Sequence, residues 1–587
     1  MKITSILATS IAALTLGSMA QAATVVHITG STAYRASTIQ GIEALMITGT
    51  GGGNYVGAGT VAAPTGPAIT AGKYKCSYAG ASATAGEQAA TYVILEGNIP
   101  GCNNPVIVKT AWAGSTGGLI TTVHNIDVDW TATSGFLSAN TLTGAECSTT
   151  GDANCLSGAA TFNSGDGDTG KKAHITMADS QQGSAGITGL IAGGTNGDGI
   201  CAVIPFEWVA SNGVTAPVKF TGCTGTSGNP VINYTGAIYL PTGAAATAPQ
   251  IAAVVGGPCG GPSIARNDFV TAAGGGSFTL TTAPTATPGT TYVAAVSGVC
   301  PATNITVNQS NQLVSTGLLL SQLTGNSAHT TPVYVGGRNF DSGTRLSQLA
   351  ETGIGIFGVQ QSVCPTFVGG QAYPIAFPNA GTRGSASSPA NGAGGADQYV
   401  SKMDLWAAES IFPAPYTNNY VLGNSGYNGG GGLAGFLATA GSSTAPASTI
   451  PSAPFFDSNN SGTATGGWVI GYLGRSDAKT ACKSNVGANT AHRINFSGYA
   501  DWTGGTGDAA MAADGGVTYD NTTIQEGLYQ AWEVEYLYTY SGVTADQQTV
   551  ADKLTDKLLA TPTSAAGVKY GDMHVGKANE GAPIYHN

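Results

Sequence analysis

The chain has 587 residues, of which 42% are hydrophobic and only 9% are charged, and its formal net charge is −11 at pH 7. Disordered chains combine low hydrophobicity with high charge, so this composition predicts a folded protein, and its length allows about two to four domains. Nucleic-acid binding requires clustered lysines and arginines, so an acidic chain with few basic residues is not expected to bind nucleic acid.

The first 22 residues have the features of a secretory signal peptide. Lys2 provides a basic start, residues 6–16 form a short apolar stretch, and residues 20–22 read Ala-Gln-Ala, a small-x-small cleavage site. The apolar stretch is too short to span a membrane, and no cysteine follows the cleavage site to carry a lipid anchor. We therefore expect a protein of the periplasm or the extracellular space, without direct membrane insertion.

The cysteines indicate disulfide bonds. Ten cysteines are an even number, and an exported protein meets an oxidising compartment. Pairing sequence neighbours predicts Cys76–Cys102, Cys147–Cys155, Cys201–Cys223, Cys259–Cys300 and Cys364–Cys482. Spacing alone leaves other connectivities open. The chain contains no Cys-x-x-Cys, P-loop or His-Glu-x-x-His motif, and we expect neither a metal nor a cofactor.

The predicted elements alternate between strands and helices in chain order, which favours an α/β fold. Residues 210–325 and 380–465 are rich in Gly, Thr, Ser, Ala or Asn and are predicted to be insertions, the first made of β-structure and loops. Strands are predicted at residues 24–29, 92–96, 105–112, 174–177, 201–209, 332–335 and 468–473, and helices at 33–46, 344–351, 523–540 and 544–560. The strand at 201–209 is long enough to cross between two domains.

Gly/Ser/Thr turns follow several of these strands and precede helices. A helix N-terminus leaves backbone N–H groups unpaired and carries partial positive charge, so such turns favour anion binding. A single turn of this kind is more often an ordinary helix cap. The segment around Arg338 is more specific, because Arg338 stands four residues before Ser342-Gly343-Thr344. A guanidinium fork suits a tetrahedral oxyanion, and Gly343 permits close backbone approach. The alternative without a ligand is a surface ion pair between Arg338 and Asp341 next to an ordinary helix N-cap.

The pattern Arg-x-x-x-Ser-Gly-Thr after a strand resembles the anion-binding motif of the periplasmic phosphate-binding proteins of phosphate ABC importers. Other segments resemble that family in the same chain order, and together the motifs account for about half of the chain. They are residues 28–32, 113–118, 178–180, 468–473, 526–532 and 535–538. Gln530 stands where the family often has proline. Phe340 stands where the family commonly has an acidic residue, so that either Asp341 substitutes for it or Arg338 is held differently.

The resemblance implies a two-lobed periplasmic-binding-protein fold of type II, closing by a hinge and carrying β- and loop-rich insertions. It implies a signal peptide at residues 1–22, a first part of lobe one at 23–205, lobe two with insertions at 206–469, and the C-terminal part of lobe one at 470–587. The late aromatic helix, with Leu528, Trp532, Tyr536 and Leu537 on one face, is expected to pack back on the N-terminal sheet.

The resemblance also implies the ligand and its contacts. Thr32 and Ser115 would donate to phosphate or a similar oxyanion, and Arg338 would pair with its charge. Ser342, Gly343 and Thr344 would add donors from the helix start. Asp179 would accept a hydrogen bond from a protonated phosphate oxygen, which favours hydrogen phosphate over sulfate, because an ionised carboxylate only accepts. An ABC permease is the implied partner.

Two other functions compete with oxyanion binding. An extracellular structural or surface-matrix protein could reuse the fold, a possibility that the low charge and the large insertions suggest. A secreted serine hydrolase would use Ser342 as its nucleophile, but a nucleophilic serine needs a histidine base held by an acid. The seven histidines lie in no recognisable triad context, so we do not expect an enzyme.

Overall fold

The computed structural model describes the parts of the chain that form its sheets, helices and their main connections. They are residues 23–49, 69–79, 87–102, 105–125, 128, 136–138, 142, 146–150, 172–210, 217–224, 231–235, 269–273, 277–280, 292–295, 304–315, 317–324, 332–338, 342–355, 362–367, 398–402, 429–439, 456–457, 468–483, 491–503, 518–561 and 567–586. The predicted signal peptide lies outside these residues.

Among the described residues, one mixed sheet of 16 strands organises the molecule. Its main path runs β18-β17-β16-β15-β19-β7-β23-β5-β1-β4-β3-β2, with β6, β13, β14 and β20 paired to its sides. The strands are β1 Thr24–Gly30, β2 Tyr74–Ala79, β3 Tyr92–Gly97, β4 Val106–Ala111, β5 Ile175–Ala178, β6 Ile191–Ala192, β7 Ile200–Ala210, β13 Asn304–Ile305, β14 Leu318–Leu319, β15 Pro332–Gly336, β16 Ser362–Phe367, β17 Gln398–Lys402, β18 Phe456–Asp457, β19 Trp468–Gly474, β20 His492–Phe496 and β23 Trp532–Thr539.

The helices connect and flank these strands, and the fold is therefore of the predicted mixed α/β class. They are α1 Arg35–Thr48, α2 Ser115–Val123, α3 Val307–Ser315, α4 Leu320–Thr324, α5 Gly343–Glu351, α6 Gly430–Thr439, α7 Arg475–Lys483, α8 Thr522–Gln525 and α9 Ala545–Ala560. Of the described residues, no helix is both long and apolar enough to cross a membrane.

The predicted β-rich insertion contains a separate antiparallel sheet of five strands among the residues that are described there. Its order is β10-β11-β9-β8-β12, with β8 Pro217–Thr224, β9 Val231–Thr235, β10 Phe269–Ala273, β11 Ser277–Leu280 and β12 Tyr292–Ala295. Further short strand pairs join β21 Trp502–Thr503 to β22 Thr518–Tyr519, and β24 Val575–Gly576 to β25 Tyr585–His586.

The long strand β7 joins the two halves of the large sheet. Its first half, up to Pro205, pairs with β23, and its second half, from Phe206, pairs with β19. Two hydrophobic clusters meet at this strand. Ile204 packs with residues of β1 and α1, whereas Trp208 packs with residues of β15 and β19. The predicted crossing strand is therefore present, and it contributes side chains to both cores.

The segment predicted as a late aromatic helix at residues 523–540 is mostly a strand, so that prediction is wrong. Only α8 is helical there, and β23 inserts between β5 and β7. Nearly all of β23 is buried because it is a central strand covered on both faces. Leu528, which was expected on a buried helix face, is 43% exposed.

The expected return of the C-terminal region to the N-terminal sheet is confirmed, although a strand and a later helix provide it. Tyr536 and Leu537 of β23 pair with β5. Gln547 Nε2 of α9 donates to Val25 O at 2.8 Å, and Thr24 Oγ1 donates to Asp546 Oδ2 at 3.0 Å. Residues more than 500 positions apart therefore share one layer.

Three of the five predicted disulfides are absent, because Cys76, Cys102, Cys201 and Cys482 are not disulfide-bonded. Cys76 lies on β2 opposite Leu95, whereas the Cys102 thiol faces α9, 3.7 Å from Asp546 O. This corrects the pairs Cys76–Cys102, Cys201–Cys223 and Cys364–Cys482. Cys147 is disulfide-bonded, and its expected partner Cys155 lies outside the described residues, as do Cys259 and Cys300.

Candidate functional site

The predicted site residues lie at the carboxyl ends of parallel strands. β5, β1 and β4 are neighbours, and β15 runs parallel to β19 in the other half of the sheet. Each of these strands is followed by a turn into the site, and carboxyl ends of parallel strands are where ligands bind in open α/β sheets. The elements that carry the site are therefore placed by sheet topology rather than by local sequence.

The first two turns are tied together by backbone hydrogen bonds. Gly30 has φ +113°, and a Cβ there would lie 1.9 Å from Met177 O, so only glycine fits. Ser31 N donates to Met177 O at 2.8 Å, and Gly114 N donates to Gly30 O at 2.9 Å. This fixes Thr32, in the turn before α1, and Ser115, the first residue of α2, next to the end of β5.

Asp179 is the centre of the site. It follows β5 and is almost completely buried, as are Ser115 and Thr344. Ser115 Oγ donates to Asp179 Oδ1, and Thr344 Oγ1 donates to Asp179 Oδ2 at 3.1 Å. One carboxylate thus accepts hydrogen bonds from both halves of the sheet.

The N-terminus of α5 packs directly on Asp179. Ser342 is the N-cap, and its hydroxyl accepts from Arg345 N at 3.3 Å. A Cβ at Gly343 would lie 1.7 Å from Asp179 Oδ1, so no larger residue fits in this arrangement. Ser347 Oγ donates to Asp179 O at 3.0 Å. The Ser-Gly-Thr sequence is therefore needed for this close approach of helix and carboxylate.

Arg338 lies two residues beyond β15 and is only 2% exposed. Its Nη2 donates to Thr32 Oγ1 at 3.2 Å, across the two halves of the sheet. Its backbone N–H donates to the Tyr472 hydroxyl on the neighbouring strand β19 at 3.4 Å. All seven predicted residues consequently lie in one region. Ser115, Asp179, Gly343 and Thr344 are in direct contact, Ser342 caps the helix, and Arg338 contacts Thr32.

The electrostatics of the site reflect its burial. Burial raises the pKa of Asp179, while the Ser115 hydrogen bond, the Arg338 charge and the Thr344 hydrogen bond lower it in part. Burial also raises the pKa of Glu535 on β23, and the charge of Asp179 raises it further. Two carboxyl groups beneath the strand ends therefore hold protons more tightly than ordinary acids.

Sequence reasoning missed Asp477 as a neighbour of Arg338. Asp477 lies in the first turn of α7, directly after β19, the strand beside β15. Burial raises the pKa of Asp477, and the charges of Arg338 and Arg35 lower it. The acid expected near Arg338 was Asp341, which lies outside the described residues. The parallel pairing of the two strands was the signal that could have identified Asp477.

A second buried polar cluster lies beside β7 and, unlike the candidate site, consists of two direct arginine–carboxyl pairs. Arg475 Nε pairs with Asp501 Oδ2 at 2.7 Å, and Arg493 pairs with Glu207 of β7. Arg475 also donates to Asn521 Oδ1 at 2.8 Å. We call these four charged residues the ion-pair cluster. Each guanidinium in it has a carboxylate partner.

The hydroxyl of Ser342, the nucleophile of the hydrolase alternative, accepts from Arg345 N as the N-cap of α5. The surroundings of three histidines are also defined. His27 stacks on Phe136 and His174, with ring centroids 4.1 and 4.9 Å away, and His574 pairs with Glu526.

Comparison with protein-family models and with curated proteins gives no match for this sequence.

Proposed function

We propose that this protein is a periplasmic or secreted solute-binding protein that binds phosphate or a similar oxyanion between two lobes. The carrying observation is that seven residues from five separate segments meet at the carboxyl ends of the strands, where donors from both halves of the sheet reach one buried carboxylate. The predicted signal peptide supports export, and an ABC permease is the proposed partner.

In the proposed site, hydroxyl groups and Arg338 bind the anion oxygens, and Asp179 selects for a protonated anion. Hydroxyl groups of Ser115 and Thr344 already donate to Asp179, and each can turn toward an anion oxygen. Arg338 supplies the positive charge. Asp179 accepts a hydrogen bond from the protonated oxygen of hydrogen phosphate, whereas sulfate, which carries no proton at neutral pH, has nothing to donate to it.

In this proposal β7 is the crossing strand between two lobes. Lobe one contains β1 to β5 and β23, and lobe two contains β15, β19 and β20. Because β19 begins at Trp468 and pairs with β15, we place β19, α7 and β20 with lobe two rather than beginning lobe one at residue 470. Opening about β7 would separate Thr344 from Asp179 and Arg338 from Thr32, which admits the anion.

Calorimetric titration of the exported protein with phosphate, sulfate and a short organic phosphate tests the proposal. Arg338→Ala is expected to weaken phosphate binding at least about tenfold, because a hydrogen bond to a charged group contributes roughly 1.5–3 kcal/mol. Lys73→Ala is the matched control, since it removes a positive charge whose side chain is 42% exposed. Absence of phosphate binding by the wild-type protein at millimolar concentration would favour the structural, surface-matrix alternative.

A further inference from the structure

The segment 577–581, near the C-terminus, lies between two elements that carry site residues. One element is α5, which begins at Gly343 and ends at Glu351. The other is the stretch 181–184, which directly follows Asp179 in sequence. Contacts to both elements are made by side chains and backbone groups of the same five residues.

The contacts to α5 are at its C-terminal end. Lys577 Nζ lies 2.7 Å from Glu351 Oε1, and both side chains are less than one-tenth exposed. Gly581 N donates to the same carboxylate oxygen at 3.0 Å. Gly581 has φ +72°, and a Cβ there would lie 2.7 Å from Ala350 O, so the segment packs tightly against the helix end.

The contacts to the stretch after Asp179 involve Glu580. Its carboxylate accepts from the backbone N–H of Gln181 and from the Ser184 hydroxyl. Gln181 Nε2 also donates to Ala578 O at 3.2 Å. Glu580 is 8% exposed, so these bonds are largely shielded from water.

Lys577 anchors the segment to the central sheet. Besides Glu351, its ammonium group donates to Gln530 O and Trp532 O, each at 2.8 Å, which uses all three of its N–H donors. The ammonium also lies 4.4 Å from the centre of the Trp532 ring. The anchor is thus fixed to the chain that leads into β23.

We propose that residues 577–581 form a strap that holds α5 against Asp179, with Lys577 and Glu580 as its positioning residues. The strap joins the far end of α5 to the stretch after Asp179, and so it opposes any motion that separates Thr344 from Asp179. Its role in anion exchange rests on the proposed function, whereas its role in holding the two elements together does not. We expect it to slow release of a bound anion.

Hydrogen–deuterium exchange on the full exported protein without ligand tests the strap directly. Glu580→Ala is expected to speed exchange at least about tenfold both in residues 181–184 and in α5, because it removes two charge-assisted hydrogen bonds. Ser184→Ala, which removes only one of these bonds, gives a smaller change in the same two places and serves if Glu580→Ala does not fold. Glu526→Gln is the matched control, because Glu526 is 42% exposed and pairs with His574 outside the strap.

Faster exchange in residues 181–184 with no change in α5 would overturn the strap, since the two elements would then not be coupled. In a second measurement, stopped-flow displacement of phosphate should show faster dissociation from Glu580→Ala than from Glu526→Gln. If both exchange rates rise but wild-type protein binds no phosphate, the proposed function fails and the strap stands. If phosphate binds and its dissociation is unchanged by Glu580→Ala, the strap does not control release.

Discussion

The candidate anion site and the ion-pair cluster use the same kinds of buried residue in opposite ways. In the ion-pair cluster, Arg475 and Arg493 each contact a carboxylate. In the candidate site, Arg338 donates to a neutral hydroxyl, and the central carboxylate accepts from two further hydroxyls. The ion-pair cluster thus joins each arginine directly to an acidic side chain, whereas the candidate site gathers several donors around one carboxyl group, an arrangement suited to a ligand.

The largest difference should appear when each arginine is removed. Arg475→Leu leaves Asp501 buried without its cation, which costs roughly 3–5 kcal/mol of unfolding free energy. Arg338→Leu removes the hydrogen bond to Thr32 and one of two positive charges that act on Asp477, which keeps the charge of Arg35, so a smaller loss is expected. Urea unfolding of both variants measures this. Equal losses would show that Arg338 is as structural as Arg475.

A methyl group at Gly343 should disturb the candidate site alone. Gly343→Ala places a Cβ against Asp179 Oδ1 and Ser115. Because the neighbours must move, we expect a loss of about 1–3 kcal/mol of stability and weaker anion binding. Gly183→Ala is the control, since nothing lies within 4 Å of a Cβ there. Thermal unfolding and phosphate titration measure the two effects, and a Gly343→Ala protein that binds phosphate normally would contradict the close packing.

The pH dependence of stability should distinguish the ion-pair cluster. Burial raises the pKa of Glu207 to about 8, with the Asp501 charge acting in the same direction. The folded state thus holds a proton that the unfolded state releases near the ordinary value of about 4.3, so this stabilisation is complete below that value and is lost as pH rises toward 8. The loss approaches about 1.4 kcal/mol per pH unit.

Glu207→Gln cannot release this proton, so its unfolding free energy should fall less steeply between pH 5 and 8 than that of the wild-type protein. Urea unfolding at several pH values measures both slopes. Parallel curves would mean that Arg493 keeps Glu207 ionised throughout this range.

The smallest expected effect is a change in anion preference. Asp179→Asn replaces a group that only accepts with one that also donates, so sulfate should gain relative to phosphate by several-fold. Ser180→Ala, next in the chain, is the control. Competition titration with the two anions gives the ratio, and an unchanged ratio would remove Asp179 from anion recognition.

Local patterns in the sequence were sufficient for the elements whose identity depends on nearby residues. The helix at 343–351 begins at a Ser N-cap and was predicted to within one residue. By contrast, residues 532–539 place Trp532 and Tyr536 at helical spacing. They nevertheless form a strand, because they pair with β5 on one side and β7 on the other and fill the gap between these two strands. That gap is a tertiary feature, and no local pattern reports it.

The same distinction between local and tertiary information applies to the candidate site. Arg338 and Ser342-Gly343-Thr344 were found because they are close in sequence. Asp477 and Glu535 were missed because only the pairing of β19 with β15, and of β23 with β5, brings their segments to the site. The cysteine pairing failed for a related reason. Sequence neighbours such as Cys76 and Cys102 lie on segments that face different partners, β3 and α9.

The position of β23 in the sheet has a consequence for how the protein folds. Its neighbours β5 and β7 are synthesised more than 320 residues earlier. The edges of β5 and β7 that pair with β23 therefore lack their partner until the end of the chain has been made. Closing so long a loop makes folding slow, and open strand edges invite aggregation in the meantime. The central sheet therefore cannot be completed until about the last 60 residues have been made, and this fold is reached only at the end of translation.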